Sequence, residues 1–69
     1  MKKQIKIAGM TCNHCVMAVK KEIMKLPVKN LDVKIGEALV EFDESLTSIN
    51  DIKHSITDAG YSVVEVNND

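Results

Sequence analysis

Hydrophobic and polar residues alternate near the start of the chain, and the spacing then becomes helical. In residues 4–8, Ile5 and Ile7 share one side of an alternating segment, which predicts a half-buried strand. The next apolar residues lie at offsets of 0, 3, 7 and 10, namely Val16, Val19, Ile23 and Leu26. This spacing indicates one face of a helix. Pro27 is expected to end the helix, because the residue before a proline avoids helical angles.

The same two spacings recur in the second half of the chain. Two further strands are predicted from alternating residues, which are Leu31, Val33 and Ile35 in one and Ala38, Val40 and Phe42 in the other. Gly36 lies in the turn between them. The apolar face of a second helix consists of Ile49, Ile52, Ile56 and Ala59. Ser48 and Asp51 match a capping box before this helix, and Gly60 is suited to the position after it. The last strand is predicted at 62–66, followed by a polar tail at 67–69.

These elements follow one another as strand, helix, strand, strand, helix and strand. Two strand–helix–strand halves with matching helix spacing predict an α+β fold of the ferredoxin-like βαββαβ type. Two helices would cover one face of a four-stranded antiparallel sheet, and the other face would contact solvent. We expect the 69 residues to form a single domain over 1–69.

Charge and aromatic content argue against nucleic-acid binding. The chain has nine lysines and no arginine against ten acidic residues, which gives a net charge of -1. Arginine is preferred for bidentate recognition of bases and phosphates. Phe42 and Tyr61 are the only aromatic residues on which a base could stack. No nucleic-acid partner is therefore expected.

Neither membrane insertion nor export is expected. No apolar run approaches the length of a membrane-spanning helix. After Lys2 and Lys3, Lys6 interrupts the apolar stretch that a signal peptide would need. A cytoplasmic location is therefore expected, and in that compartment thiols stay reduced.

Both cysteines of the chain lie in one motif, as Cys12 and Cys15 with Asn13 and His14 between them. Cys12 is predicted in the loop after the first strand, and Cys15 in the first turn of the first helix. Unpaired N–H groups and the helix dipole favour a thiolate there. A closed zinc site needs four protein ligands, and only His14 and His54 could add to the two thiols. The motif therefore suits a soft ion that accepts two or three ligands, such as Cu(I) or Hg(II).

A dithiol redox role competes with metal binding. A Cys-x-x-Cys at the start of a helix is also the arrangement of thioredoxin-like proteins. Those proteins usually have a larger α/β domain with a tryptophan or a proline near the thiols. This chain has no tryptophan, and its one proline, Pro27, lies at the far end of the helix. The motif by itself leaves both hypotheses open.

The motif and its surroundings resemble the heavy-metal-associated domain family. The shared segments are GMTCNHC between a strand and a helix, the helix sequence CVMAVKKEI, the strand EALVEFD and the closing DAGYSV. The similarity extends from about Gln4 to Val66 and is greatest to the bacterial copper chaperones of this family. It implies a ferredoxin-like fold, a protein that is not an enzyme, and Cu(I) held by Cys12 and Cys15.

The resemblance also implies roles for residues around the thiolates. Met10 matches a methionine that points into the core and supports the loop. Tyr61 matches a tyrosine that lies beside the metal loop in bacterial copper carriers, where mercury carriers usually have phenylalanine. Thr11 and His14 complete the expected surroundings. Because His14 lies between the two thiols in sequence, it is a candidate extra ligand in a copper-bridged homodimer or in an exchange intermediate.

The implied function is a cytosolic Cu(I) chaperone. It would hand copper by ligand exchange to a copper-transporting P-type ATPase or to a copper-responsive repressor. Lys20 and Lys21 on the first helix are expected to dock against an acidic patch of the acceptor. Met17 and Met24 are interpreted as packing or exposed helix residues, not as copper ligands. The alternatives are a carrier of mercury or another soft metal, and a dithiol redox protein.

Overall fold

The structure, a computed structural model, describes residues 1–68. Its elements are β1 (Lys2–Ala8), α1 (Asn13–Ile23), β2 (Val28–Lys34), β3 (Glu37–Phe42), α2 (Ile49–Asp58) and β4 (Ser62–Asn68). The strands form one antiparallel sheet in the order β2-β3-β1-β4. This is the ferredoxin-like βαββαβ arrangement that the spacing predicted. Two residues of the predicted polar tail belong to β4, and residue 69 lies outside the described residues.

The core lies between the sheet and the two helices. The inward side of β3 is buried as predicted, with exposed fractions of 0% for Ala38, 2% for Val40 and 1% for Phe42. The two helices close over this face through their predicted apolar residues, of which the fully buried ones are Val19, Ile23, Ile52 and Ile56. The offsets of 0, 3, 7 and 10 therefore identified the buried face of both helices. Neither helix in the described part of the chain has the length and apolar character needed to span a membrane.

Both edge strands contain a β-bulge that turns an additional apolar residue toward the core. In β4, Val63 and Val66 both pack against the core although they are three residues apart. Side chains alternate between faces in a regular strand, so this spacing requires an irregularity. The residue without a partner on β1 is Val64, which is 67% exposed. A similar register shift occurs in β2 between Val28 and Asn30.

Helix α1 ends earlier than the apolar spacing predicted. The prediction extended the helix to Leu26, whereas α1 ends at Ile23. The N–H of Leu26 donates to the carbonyl of Ile23 at 3.0 Å, and this shorter hydrogen-bonded turn tightens the chain before Pro27. Leu26 still packs against the core and is partly buried. The prediction of its apolar role was right, and the prediction of its secondary structure was wrong.

Ile35 was wrongly predicted to belong to the second strand. Strand β2 ends at Lys34, and Ile35 lies in the following turn with 54% of its surface exposed. Gly36 has a φ of 82°, which glycine adopts without steric cost. Its carbonyl accepts the N–H of Ile7 at 2.9 Å. The turn is therefore attached to the end of β1, next to the cysteine motif.

Ser48 caps α2 as predicted, and replacing it should destabilise the fold. Its hydroxyl accepts the N–H of Asp51 at 3.3 Å, and the Asp51 carboxylate accepts the N–H of Ser48 at 3.3 Å. Ser48→Ala removes the first bond and should lower the free energy of unfolding by about 1 kcal/mol. The melting temperature should fall by roughly 4–8 °C, measured by circular dichroism. Thr57→Ala, on the exposed side of α2, should have a much smaller effect. Equal losses in the two variants would contradict the capping role.

Candidate metal centre

The loop between β1 and α1 contains Gly9, whose backbone conformation favours glycine and which lies close to the ring of Tyr61. Gly9 has a φ of +95°, and a Cβ atom there would lie 3.4 Å from Cδ1 of Tyr61. A side chain at Gly9 would therefore strain the backbone and crowd the ring. Tyr61 precedes β4, whose first residue, Ser62, pairs with Ala8 at the end of β1. This pairing places the ring beside the cysteine loop, as the resemblance implied.

Met10 attaches the same loop to the core. Its side chain is 7% exposed and belongs to the main hydrophobic cluster. A flexible, unbranched side chain of this kind fills an irregular gap in a core well. The loop is thus fixed at one side by Met10 and at the other by the ring of Tyr61.

Cys12 and Cys15 are brought together by the start of α1. Cys12 is the N-cap residue, with φ of -158° and ψ of 177°, and its carbonyl accepts the N–H of Cys15 at 3.1 Å. The two sulfur atoms are 4.0 Å apart, and both thiols are free. Cys12 is exposed, whereas Cys15 is partly buried and packs against the core. The predicted dithiol is therefore present as one close pair at the surface.

The sulfur separation fits a shared metal ion with an open coordination position. With thiolate–metal bonds of about 2.3 Å, sulfur atoms 4.0 Å apart would form a sulfur–metal–sulfur angle of about 120°. Within residues 1–68, no group of three or more His, Cys, Asp or Glu side chains could hold a metal ion. The site thus offers two thiolates and leaves room for a third ligand from outside. It does not provide the four ligands of a closed zinc site.

The two thiols differ in their electrostatic surroundings. The main-chain N–H of Thr11, the hydroxyl of Tyr61 and the main-chain N–H of Cys12 stabilise the Cys15 thiolate, in this order of importance. The Thr11 hydroxyl adds a weaker contribution at 3.9 Å from the Cys15 sulfur. These donors outweigh the partial burial and lower the pKa of Cys15 to about 6. The same interaction with Cys15 raises the pKa of Tyr61.

The lowered pKa predicts how Cys15 reacts with an alkylating reagent. A thiol reacts as its thiolate, so the rate at Cys15 should rise with pH and level off above a midpoint near pH 6. The experiment uses iodoacetamide on metal-free Cys12→Ser, in which Cys15 is the only thiol. Adding Tyr61→Phe removes one donor and should move the midpoint to higher pH. A midpoint in the range of an ordinary thiol, about pH 8.5, would contradict the stabilisation of the thiolate.

The other predicted site residues lie along α1 and do not converge on the sulfur atoms. His14 is exposed in the first turn, between the two cysteines. Lys20 and Lys21 are exposed in the last turn of α1. Thr11 was predicted near the site, but its main-chain role could not be predicted, since every residue other than proline has an N–H group. Only the path of the loop shows which N–H group faces the sulfur.

Comparison with known proteins identifies the family. Residues 4–62 match the family model of the heavy-metal-associated domain. The chain belongs to this family. The copper chaperone CopZ of Bacillus subtilis is 33% identical over 66 residues, covering 91% of this chain and 96% of that protein. The periplasmic component of a mercuric transport protein from an Alcaligenes species is 40% identical over 60 residues, covering 83% of this chain and 66% of that protein.

Solved structures agree with this assignment. A CopZ metallochaperone superimposes with a TM-score of 0.87 at 31% identity, covering 93% of this chain and 100% of the other. A copper-binding domain from the P-type ATPase HMA7 gives a TM-score of 0.84 at 33% identity, covering 96% of this chain and 97% of the other. The fold of the heavy-metal-associated family is therefore confirmed, and the relatives support a metal-binding chaperone.

Proposed function

We propose that this protein carries Cu(I), bound between Cys12 and Cys15. The observation that carries the proposal is a pair of free thiols whose sulfur atoms are 4.0 Å apart on an exposed loop. Thiolates select soft ions such as Cu(I), which accept low coordination numbers. The copper chaperones among the relatives support this choice of metal. The protein acts by binding and releasing the ion and is not an enzyme.

The geometry suits release of copper by ligand exchange. A linear two-coordinate ion with bonds of about 2.3 Å would need sulfur atoms about 4.6 Å apart, whereas the observed separation is 4.0 Å. At the observed separation, the sulfur–metal–sulfur angle would be about 120°, which is that of a three-coordinate ion. A thiolate of the acceptor can therefore enter at the exposed side and form a three-coordinate intermediate. One thiolate of the carrier then leaves, and the ion moves without oxidation or reduction.

The proposed acceptor is a copper-transporting P-type ATPase that presents its own pair of thiols. The similarity to a copper-binding domain of such an ATPase supports this choice, because two domains of one fold can present their loops to each other. A copper-responsive repressor could receive the ion by the same exchange. A second copy of the chain could also supply the third thiolate and form a copper-bridged homodimer. The cytoplasm is the proposed compartment, since it keeps free thiols such as Cys12 and Cys15 reduced.

A mercury carrier is the second candidate. The mercuric transport relative, at 40% identity, favours it directly. Two thiolates also suit Hg(II), so the sulfur pair does not separate the two metals. The position of Tyr61 beside the thiols supports copper, because the resemblance to copper carriers rests partly on this residue.

The proposal is tested by competition for metal under anaerobic conditions. The reduced protein is titrated with Cu(I) against a chromophoric Cu(I) chelator, with Hg(II) and Zn(II) titrated in parallel. One Cu(I) per chain, withdrawn from the chelator, is the expected result. Loss of Cu(I) to the chelator combined with tight Hg(II) binding would favour the mercury carrier. Weak binding of every metal together with reduction of a test disulfide would favour the dithiol redox role.

Reversing the charge of Lys20 and Lys21 should slow the transfer of copper. Both side chains are exposed on the helix that carries Cys15, and a basic surface speeds encounter with an acidic partner. Lys20→Glu with Lys21→Glu should reduce the transfer rate about 10-fold or more at low salt. The rate is measured by stopped flow with an ATPase metal-binding domain. Lys29→Glu with Lys34→Glu, on the exposed edge of β2, is the matched control. An equal effect of both pairs would show that only net charge matters.

A further inference from the structure

The outward face of α1 presents a histidine and a methionine one helical turn apart. His14 and Met17 are both exposed, and Met17 keeps 67% of its surface accessible. Residues three apart on a helix are neighbours, with Cβ atoms about 5–6 Å from each other. None of the ion pairs in residues 1–68 involves the His14 ring. The two side chains are therefore adjacent and accessible to a ligand from solvent.

Exposure by itself does not distinguish Met17, because single exposed apolar residues are normal. Met24, the C-cap residue directly after α1, is exposed to a similar degree, at 61%. The difference lies in the neighbour three residues earlier, which is His14 for Met17 and Lys21 for Met24. An imidazole is a metal ligand, whereas an ammonium group repels cations. Of these two methionines, Met17 is the one that follows a metal-binding side chain three residues earlier.

Imidazole nitrogen and thioether sulfur form a ligand pair suited to a soft monovalent ion. With bonds of about 2.0–2.3 Å, the nitrogen and the sulfur need to lie at most about 4.4 Å apart. Side chains whose Cβ atoms are about 5–6 Å apart can reach this separation by choice of rotamer. Imidazole nitrogen and thioether sulfur bind a metal as uncharged groups. The pair would therefore hold a cation more weakly than two thiolates.

We propose that His14 and Met17 form a second soft-metal site for Cu(I) or Ag(I) on the outer face of α1. The site would bind the same class of metal ion as the proposed carrier site, but it does not require the two thiolates. It lies beside Cys15, since His14 directly precedes that residue in the first turn. It holds a second ion when the thiolates are occupied. Met17 was interpreted as a packing or exposed helix residue, and it is exposed; the proposal replaces only the interpretation that it is not a copper ligand.

The experiment follows the methionine methyl groups by NMR while Ag(I) is added. The protein is labelled with 13C at the methionine methyl carbons, and its four methionines give separate probes. In the wild type, the first equivalent should go to the thiols, and the second should shift the Met17 methyl signal. In Cys12→Ser with Cys15→Ser, the first equivalent should already shift the Met17 signal. The signal of the equally exposed Met24 should stay unchanged in both proteins.

His14→Gln provides the decisive variant. It should abolish the shift of Met17 at the same Ag(I) concentration, or weaken the apparent affinity at least about 10-fold, as for the loss of a metal-site partner. An unchanged Met17 response in His14→Gln would overturn the proposal, and so would equal shifts of Met17 and Met24. Because the variant without cysteines reports on this site alone, its result is independent of whether the dithiolate carries copper.

Discussion

Replacing Cys15 with serine should lower the affinity for Cu(I) by more than about 100-fold, beyond the 10–100-fold effect of residues that only orient a ligand. A serine hydroxyl is a protonated, hard oxygen at neutral pH, so one of the two soft ligands is lost. Within residues 1–68, no group of three or more His, Cys, Asp or Glu side chains offers an alternative site of comparable strength. Competition with a chromophoric Cu(I) chelator, under anaerobic and reducing conditions, measures the affinity.

Two comparisons make this result specific to the metal ligands. Cys12→Ser should lower the affinity for Cu(I) by a similar factor, since either substitution leaves a single thiolate. Met24→Leu, at the exposed C-cap position directly after the same helix, should keep the wild-type affinity. Because Cys15 packs against the core, circular dichroism must show that the serine variant is folded. If folded Cys15→Ser stayed within about tenfold of the wild type, or about 1.4 kcal/mol, the two-thiolate site would be wrong.

The sequence predicted the faces of the elements better than their ends. Ile52 and Ile56 are buried as the helical spacing indicated, and Ser48 caps α2 as its type and position indicated. Leu26 and Ile35 show the limit of such reasoning. Apolar spacing reports which side of an element faces the core, but the local hydrogen bonds decide where the element stops.

The bulges of the edge strands could not be predicted from spacing alone. Val63 and Val66 are three residues apart, and in a regular strand two such side chains would point to opposite faces of the sheet. Their shared orientation depends on the register of β4 against β1. That register is a property of two segments from opposite ends of the chain. A local pattern contains no information about it.

The position of the thiols was predictable, and the difference between them was not. Two cysteines separated by two residues at a helix start can always approach each other. The donors that lower the pKa of Cys15 come from the main chain of Thr11 and from Tyr61, which is distant in sequence. Tyr61 reaches the site because β4 begins beside the end of β1. Only the resemblance to a known family gave advance notice of this residue.

The same core supports both the fold and the metal loop. Met10 belongs to the main hydrophobic cluster together with Phe42 of the central strand β3. A chain of 69 residues has a small core, and its expected free energy of unfolding is about 3–10 kcal/mol. A single large cavity can therefore remove a large part of the stability and loosen the loop at the same time.

Phe42→Ala should accordingly remove a large part of the free energy of unfolding and raise the unfolded fraction at room temperature. Phe42 is 1% exposed, and removing a buried phenyl ring costs about 3–5 kcal/mol. Urea denaturation followed by circular dichroism measures the loss. Leu46→Ala, at a position that is 64% exposed in the loop after β3, is the matched control and should change stability by about 0.5 kcal/mol or less.

Adding Cu(I) to Phe42→Ala should restore part of the folded population. A ligand that binds the folded state more tightly than the unfolded state stabilises it by mass action. Cu(I) should do so here, because folding holds the Cys12 and Cys15 sulfur atoms together and surrounds Cys15 with its donors. The recovery should be absent when Cys15→Ser is combined with Phe42→Ala. If Cu(I) left the unfolded fraction of Phe42→Ala unchanged, the folded arrangement of the loop would contribute nothing to copper binding.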